Sequence, residues 1–211
     1  VMMASASRHP GIGHTLLLDA AYSLYADEPH GWGETIVETM EDGTPWPENF
    51  LITYAVSMSK SHTAYGLRTG ALITIHPDKN ITERLRGILG VTGRQTWSAA
   101  PRLLQYTAAE LHSNPETANA WSEERYRLQG LLIERRNAFV TACEELNVPI
   151  NPTHDGFFGW LEHDNPESIT EKCAAEHVFL VPLQGGVRIG LCAIPLASIR
   201  RVVETLQKAL N

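Results

Sequence analysis

Long apolar runs are missing from this chain: the longest are the size of a β-strand, far short of the roughly 20 residues a membrane-spanning helix needs. Cysteine is scarce too. Cys143, Cys173 and Cys192 are three, an odd number, widely spaced in apolar contexts, which predicts core thiols of a reducing compartment and no disulfide framework. Nine histidines form no HExxH motif and no Cys/His cluster, so no metal site is expected. Positive charge is in deficit, with a net charge of −7. That balance argues against a nucleic-acid partner or an anionic membrane surface. The opening residues, Val1 to Pro10, have neither the basic start nor the apolar run of a secretory leader, and the expected location is the cytoplasm. What remains is 211 residues of ordinary composition, enough for one large domain or two small ones.

The chemistry is concentrated in Tyr54 to Gly70, YAVSMSKSHTAYGLRTG. Phe50 to Val56 is β-branched and aromatic without charge, the pattern of a strand buried on both faces as in a parallel sheet. Lys60 follows at its carboxyl end, where ligands sit in open α/β sheets. A lysine there is half desolvated, which favours the nucleophilic neutral amine. Ser57, Ser59 and Arg68 add hydroxyls and a planar cationic fork suited to a phosphate dianion. An amine beside a phosphate cup suggests pyridoxal phosphate. Ser-X-Ser-Lys after a strand also occurs by chance, and the plainer reading is a solvated lysine. A second strand, Thr15 to Leu18, shifts that balance. At its end stand Asp19, placed to pair with a protonated ring nitrogen, and Tyr22, placed to hydrogen-bond the ring's phenolic oxygen.

With D-x-A-Y at Asp19 to Tyr22, S-x-S-K at Ser57 to Lys60, Arg68 in YGLRTG and GVRIGLCAI at Gly186 to Ile194, the chain resembles the fold-type I pyridoxal phosphate enzymes. Within them it is most similar to the class I and II aminotransferases, the aspartate and aromatic group. The resemblance implies an α/β fold: part of a mostly parallel sheet with helices on both faces, followed by a small α+β domain at the C-terminus. It implies that Lys60 holds the cofactor covalently, that Asp19 and Tyr22 contact its ring, and that Ser57, Ser59 and Arg68 hold its phosphate. Arg188 would take the substrate's α-carboxylate. The expected reaction moves an amino group between an acidic or aromatic amino acid and a 2-oxo acid, in a homodimer with shared active sites. A carbon–sulfur β-lyase of the same fold and a non-catalytic regulatory or assembly module remain as alternatives. In the family the segments supplying the ring-stacking aromatic and the Gly-rich phosphate turn precede the first strand seen here, and nothing like them is visible in this sequence. The expectation is therefore a C-terminal half, inactive alone.

Along the chain, Ala4 to Gly13 reads as a helix tail ended by Pro10 and Gly11. Residues 27–48 read as a surface connection with a short helix near Glu34 to Met40, Trp32 and Trp46 being packing or lid residues. Gly70 to His76 is the third strand, antiparallel by resemblance and ended by Pro77. A helix capped by Asp78 runs to Leu89. Gly93 to Arg102 is too polar and broken for a core element and is predicted as a loop. By its position in the aspartate-type family members, Arg94 would reach the other subunit to read a side-chain carboxylate, with Ser98 touching the phosphate and Trp97 beside them. The plainer reading of Arg94 is a surface residue.

The expected organisation is a cofactor-binding portion over 1–112, a long connecting helix over 113–147 and a small domain over 148–211. Asn114 and Pro115 start the helix, and Leu128, Leu132, Arg135, Phe139, Ala142 and Leu146 mark its buried face. The small domain has candidate strands at 156–161, 178–181 and 187–193 and helices at 167–176 and 196–210. Arg188 stands out there, since a guanidinium in an apolar strand is expensive unless it meets an anion. His154 and Asp155 read as a turn into a strand.

Overall fold

A computed structural model describes residues 1–26, 31–153 and 155–211. The fold is the α/β class expected; its strands form two small sheets, and the chain divides into two compact units, 1–24 with 28–121 and 25–27 with 122–211.

In the first unit, helix α1 (Met2–Arg8) leads into strand β1 (His14–Asp19), and helix α2 (Trp32–Glu41) precedes strand β2 (Phe50–Ser57). A single helical turn, α3 (Met58–Ser61), separates β2 from strand β3 (Gly70–Ile75). The sheet order is β1-β2-β3, β1 parallel and β3 antiparallel to β2, which is the direction expected of the third strand. Phe50 and Ile52 of β2 pack with Ala6 of α1 into a small core flanked by Leu16, Leu18, Ile36 and Trp46. Asn49 fixes the link into β1, its amide nitrogen donating to the carbonyls of Ala6, His9 and Ile12 at 3.1, 3.0 and 2.7 Å. Trp32 and Trp46 are packing residues: Trp32 meets the Tyr54 ring edge-on, and Trp46 lies against Phe50 and donates to its carbonyl at 2.8 Å.

Strand β1 differs from the doubly covered strand its composition predicts. Its residues alternate between half-buried and exposed, and Leu17 is 60% exposed. The reason is position: β1 lies at the end of the sheet, with β2 on one side and no partner on the other among the described residues.

Helix α4 (Lys79–Thr96) is capped by Asp78, whose carboxylate accepts from Asn80 N at 2.8 Å, but it outruns its predicted end at Leu89. Gly90 and Gly93 inside it cost about 1 kcal/mol each, too little to stop a helix. It ends where Ser98 turns left-handed (φ 70°) before Pro101. The predicted loop over 93–102 therefore shrinks to 97–101, and Arg94 sits on the last helical turn. Helix α5 (Arg102–Ser113) was hidden in the sequence because it buries only Leu104, which leaves almost no apolar stripe to read.

Helix α6 (Pro115–Glu145) starts at Asn114, whose side chain accepts from Glu116 N at 2.9 Å, and passes from the first unit to the second between Trp121 and Ser122. Its buried face begins at Leu132 and continues through Arg136, Phe139, Ala142 and Cys143. Leu128, expected on that face, is exposed.

The second unit adds strand β4 (Phe158–Glu162), helix α7 (Pro166–Ala175), strands β5 (Val181–Leu183) and β6 (Gly186–Gly190), and helix α8 (Ile199–Leu210). The sheet is antiparallel in the order β4-β6-β5. Phe139, Leu161, Val187, Ile189, Leu191 and Leu206 are fully buried in its core. The strand predicted over 178–181 begins later because Val178 is used to end α7, its amide donating to Cys173 O at 2.9 Å while His177 turns left-handed. Pro182 then sits in an edge strand, where its missing N–H is harmless. Strand β6 stops at Gly190, and the next residues form a 3₁₀ turn that exposes Cys192, contrary to the core thiol expected there. His154 lies outside the described residues.

Candidate active site

Strands β1 and β2 run parallel in register, Asp19 opposite Ala55, so both deliver their carboxyl ends to one side of the sheet. Ala20 N donates to Ala55 O at 2.9 Å, and the Asp19 carboxylate accepts from Ala21 N at 3.1 Å, turning the chain toward Tyr22. Asp19 is exposed at this end, not sunk in the sheet. Strand β2 ends at Ser57, which pairs with Gly70 of β3. That pairing requires glycine, since a Cβ at Gly70 would collide with the carbonyl oxygen of Val56.

The next turn, α3, brings up Lys60. Its Nζ lies 5.6 Å from the centre of the Tyr22 ring and 5.8 Å from that of Tyr65. Arg68 returns to the same place because it adopts the left-handed conformation (φ 51°), and its Nη1 donates to Ser59 Oγ at 3.1 Å and to Tyr65 O at 2.8 Å. Ser59 is buried, and the Arg68 guanidinium is 5.0 Å from the Tyr65 ring centre. The structure thus gathers Tyr22, Ser59, Lys60 and Arg68, with Asp19 at the neighbouring strand end and Ser57 at the end of β2. An ammonium, a guanidinium and hydroxyls converge there within reach of aromatic faces.

Arg188 belongs to the second unit. It is half-buried in β6, opposite Trp160 and Val181, with its guanidinium 4.8 Å from the Phe158 ring centre. Among the described residues it makes no ion pair, so the structural salt bridge that could have explained it is absent. Arg94 is exposed, as are Trp97 and Ser98. A cavity of about 590 Å³ between β3 and α4 is lined by Leu72, Arg86, Gly93 and Trp97 among others, and no member of the Lys60 group lines it. Among the described residues no His, Cys, Asp or Glu cluster could hold a metal ion.

A sequence model of the family "aminotransferase class I and II" matches residues 6–206. The chain belongs to the class I and II aminotransferases. An aminotransferase from Anaerococcus prevotii is similar at 30% identity and a TM-score of 0.85, over 98% of this chain and 49% of that one. Two others share the fold at lower identity. The aromatic-amino-acid aminotransferase of Burkholderia pseudomallei, covalently bound to pyridoxal phosphate, is 20% identical with a TM-score of 0.71 over 93% and 48% of the two chains. An α-aminoadipate aminotransferase of Thermus thermophilus is 21% identical with a TM-score of 0.71 over 99% and 52%. The chain thus spans about half the length of these relatives. No curated protein matches it.

Two features of this candidate site escape a reading of the sequence. Tyr65, whose ring faces both cations, is signalled only by its three-residue spacing from Arg68. His62, two residues past Lys60, meets His112 and Trp121, and nothing local announces partners so far along the chain.

Proposed function

We propose that the protein is a pyridoxal phosphate-dependent aminotransferase that moves an amino group between an amino acid and a 2-oxo acid. The observation that carries this reading is the placement of Lys60 Nζ above the Tyr22 ring at the carboxyl ends of two parallel strands, beside the Arg68–Ser59 pair. The residues fit the cofactor. Arg68, Ser59 and Ser57 offer the charge-assisted and hydroxyl contacts a phosphate dianion needs, Asp19 suits a protonated ring nitrogen, and Tyr22 suits the ring's phenolic oxygen. When bound, the cofactor supplies an electron sink for charge developing at the substrate's α-carbon. Lys60 would hold the cofactor covalently, and its Nζ would take a proton from the substrate's α-carbon and return it. Arg188 receives the substrate's α-carboxylate: an arginine in a strand of apolar residues, without an ion pair among the described residues, is a fork open to a planar anion. Borohydride reduction of the protein with pyridoxal phosphate, followed by peptide mapping, is expected to place the label on Lys60. A label on Lys79, Lys172 or Lys208 would overturn the reading.

Acidic and aromatic substrates, a homodimer with shared sites, and a need for residues beyond these 211 belong to the same proposal. Similarity to an aromatic-amino-acid aminotransferase and to an α-aminoadipate aminotransferase supports a substrate range of this kind. Arg94, exposed on the last turn of α4, is free to reach a second copy and read a side-chain carboxylate there. Removing one partner of a desolvated charge pair costs about 2–5 kcal/mol. Arg94→Ala is therefore expected to depress kcat/KM for glutamate or aspartate far more than for phenylalanine in the complete enzyme, and equal losses would return Arg94 to the surface.

A further inference from the structure

His62 from the turn after α3, His112 of α5 and Trp121 of α6 converge in the first unit, and the chemistry proposed at Lys60 uses none of them. His62 stacks on Trp121 with ring centres 4.7 Å apart and planes 19° from parallel, and His112 meets both rings edge-on. Hydrogen bonds then run in one direction. Ser61 Oγ donates to Ser57 O, the last carbonyl of β2, at 3.0 Å, and having spent its hydrogen it accepts from His62 Nδ1 at 2.7 Å. Neutral His62 is left with a bare Nε2, which accepts from His112 Nε2 at 2.8 Å. The amides after α3 close the same turn: His62 N and Ala64 N donate to Met58 O at 3.2 and 3.3 Å, and Thr63 N to Lys60 O at 3.1 Å.

We propose that His62 is a positioning residue for Lys60, clamped by His112 and Trp121, and that the clamp opens when both imidazoles are protonated. The inference rests on Lys60 being the cofactor lysine. A proton on His112 Nδ1 leaves this link intact, but a second on His62 Nε2 sets two imidazolium N–H groups facing each other and the link breaks. Burial, and then the neighbouring His112, hold the His62 ring below the usual histidine range. His112 from α5 is the group whose charge acts on it; α6 contributes the uncharged Trp121, and the same turn contributes Lys60, whose ammonium lies toward Tyr22 and Tyr65. The sign follows. The unfolded ring takes its proton first as pH falls through about 6.5, and the folded ring resists to lower pH, so the clamp is intact above that value and is lost as pH falls through the folded one.

The test is hydrogen exchange of the His62, Thr63 and Ala64 amides in the full chain from pH 8 to pH 5, corrected for intrinsic rates. Wild-type protection is expected to fall as the pH is lowered across this range, as the link between the two rings is lost. His112→Gln, whose side chain can donate to His62 but takes no proton, should hold protection across the range. His112→Phe should lack it throughout. Flat wild-type protection, or wild-type protection in His112→Phe, overturns the clamp. Mapping borohydride-fixed pyridoxal phosphate on the same samples separates the two readings. A label on Lys60 with flat exchange sinks the clamp alone, whereas a label on another lysine sinks the cofactor assignment and removes the clamp's purpose.

Discussion

Cys143 and Cys173 are buried and Cys192 is exposed, so three residues with similar sequence surroundings differ in accessibility. Burial, with Glu144 nearby, pushes the Cys143 thiol from 9.0 up to about 12, and burial also raises Cys173. The thiolate is the reactive form. Ellman's reagent on the native protein is expected to find one fast thiol, abolished by Cys192→Ser, with the other two appearing only on denaturation. The same shift bears on stability. A thiol that keeps its proton in the folded state but loses it near pH 9 when unfolded favours unfolding as pH rises through that window.

At the scale of elements, the pairing of β2 with β3 rests on a residue without a side chain. A methyl group at Gly70 would meet the Val56 carbonyl, a backbone atom that cannot swing aside. Gly70→Ala should therefore pry β3 from the strand that ends at Ser57, at a cost of about 1–3 kcal/mol by analogy with overpacked cores. Urea unfolding measures the loss, and an unchanged midpoint would mean that β3 yields more easily than its register implies. Helix α4 teaches a related lesson. Its three glycines, Gly87, Gly90 and Gly93, did not end it, because a helix whose next turn is still hydrogen-bonded tolerates them.

Across the whole molecule, the outer edge of β1 is the most consequential surface. It carries no strand partner among the described residues, and Leu17 stands 60% exposed on it. Unpaired apolar edge strands template association with other chains, and a charge on the edge blunts this. The 211-residue chain is expected to self-associate in a concentration-dependent way by light scattering, and Leu17→Lys to reduce it. If the substitution leaves scattering unchanged, association runs through another surface.

Local chemistry made much of this protein legible from its residues. The run Phe50 to Val56 could be little but a strand, and Asp78 and Asn114 announced their helices because a cap acts on its own first turn. Tertiary structure alone decided which faces are covered. Thr15 to Leu18 is as apolar as a central strand, yet it is half exposed because burial depends on neighbours that a strand's own composition does not contain. Cys192 is exposed because β6 stops at Gly190. His62 meets His112 and Trp121 only because α5 and α6 bring their side chains to the Lys60 turn, a contact between residues too far apart in sequence for any short-range pattern to carry.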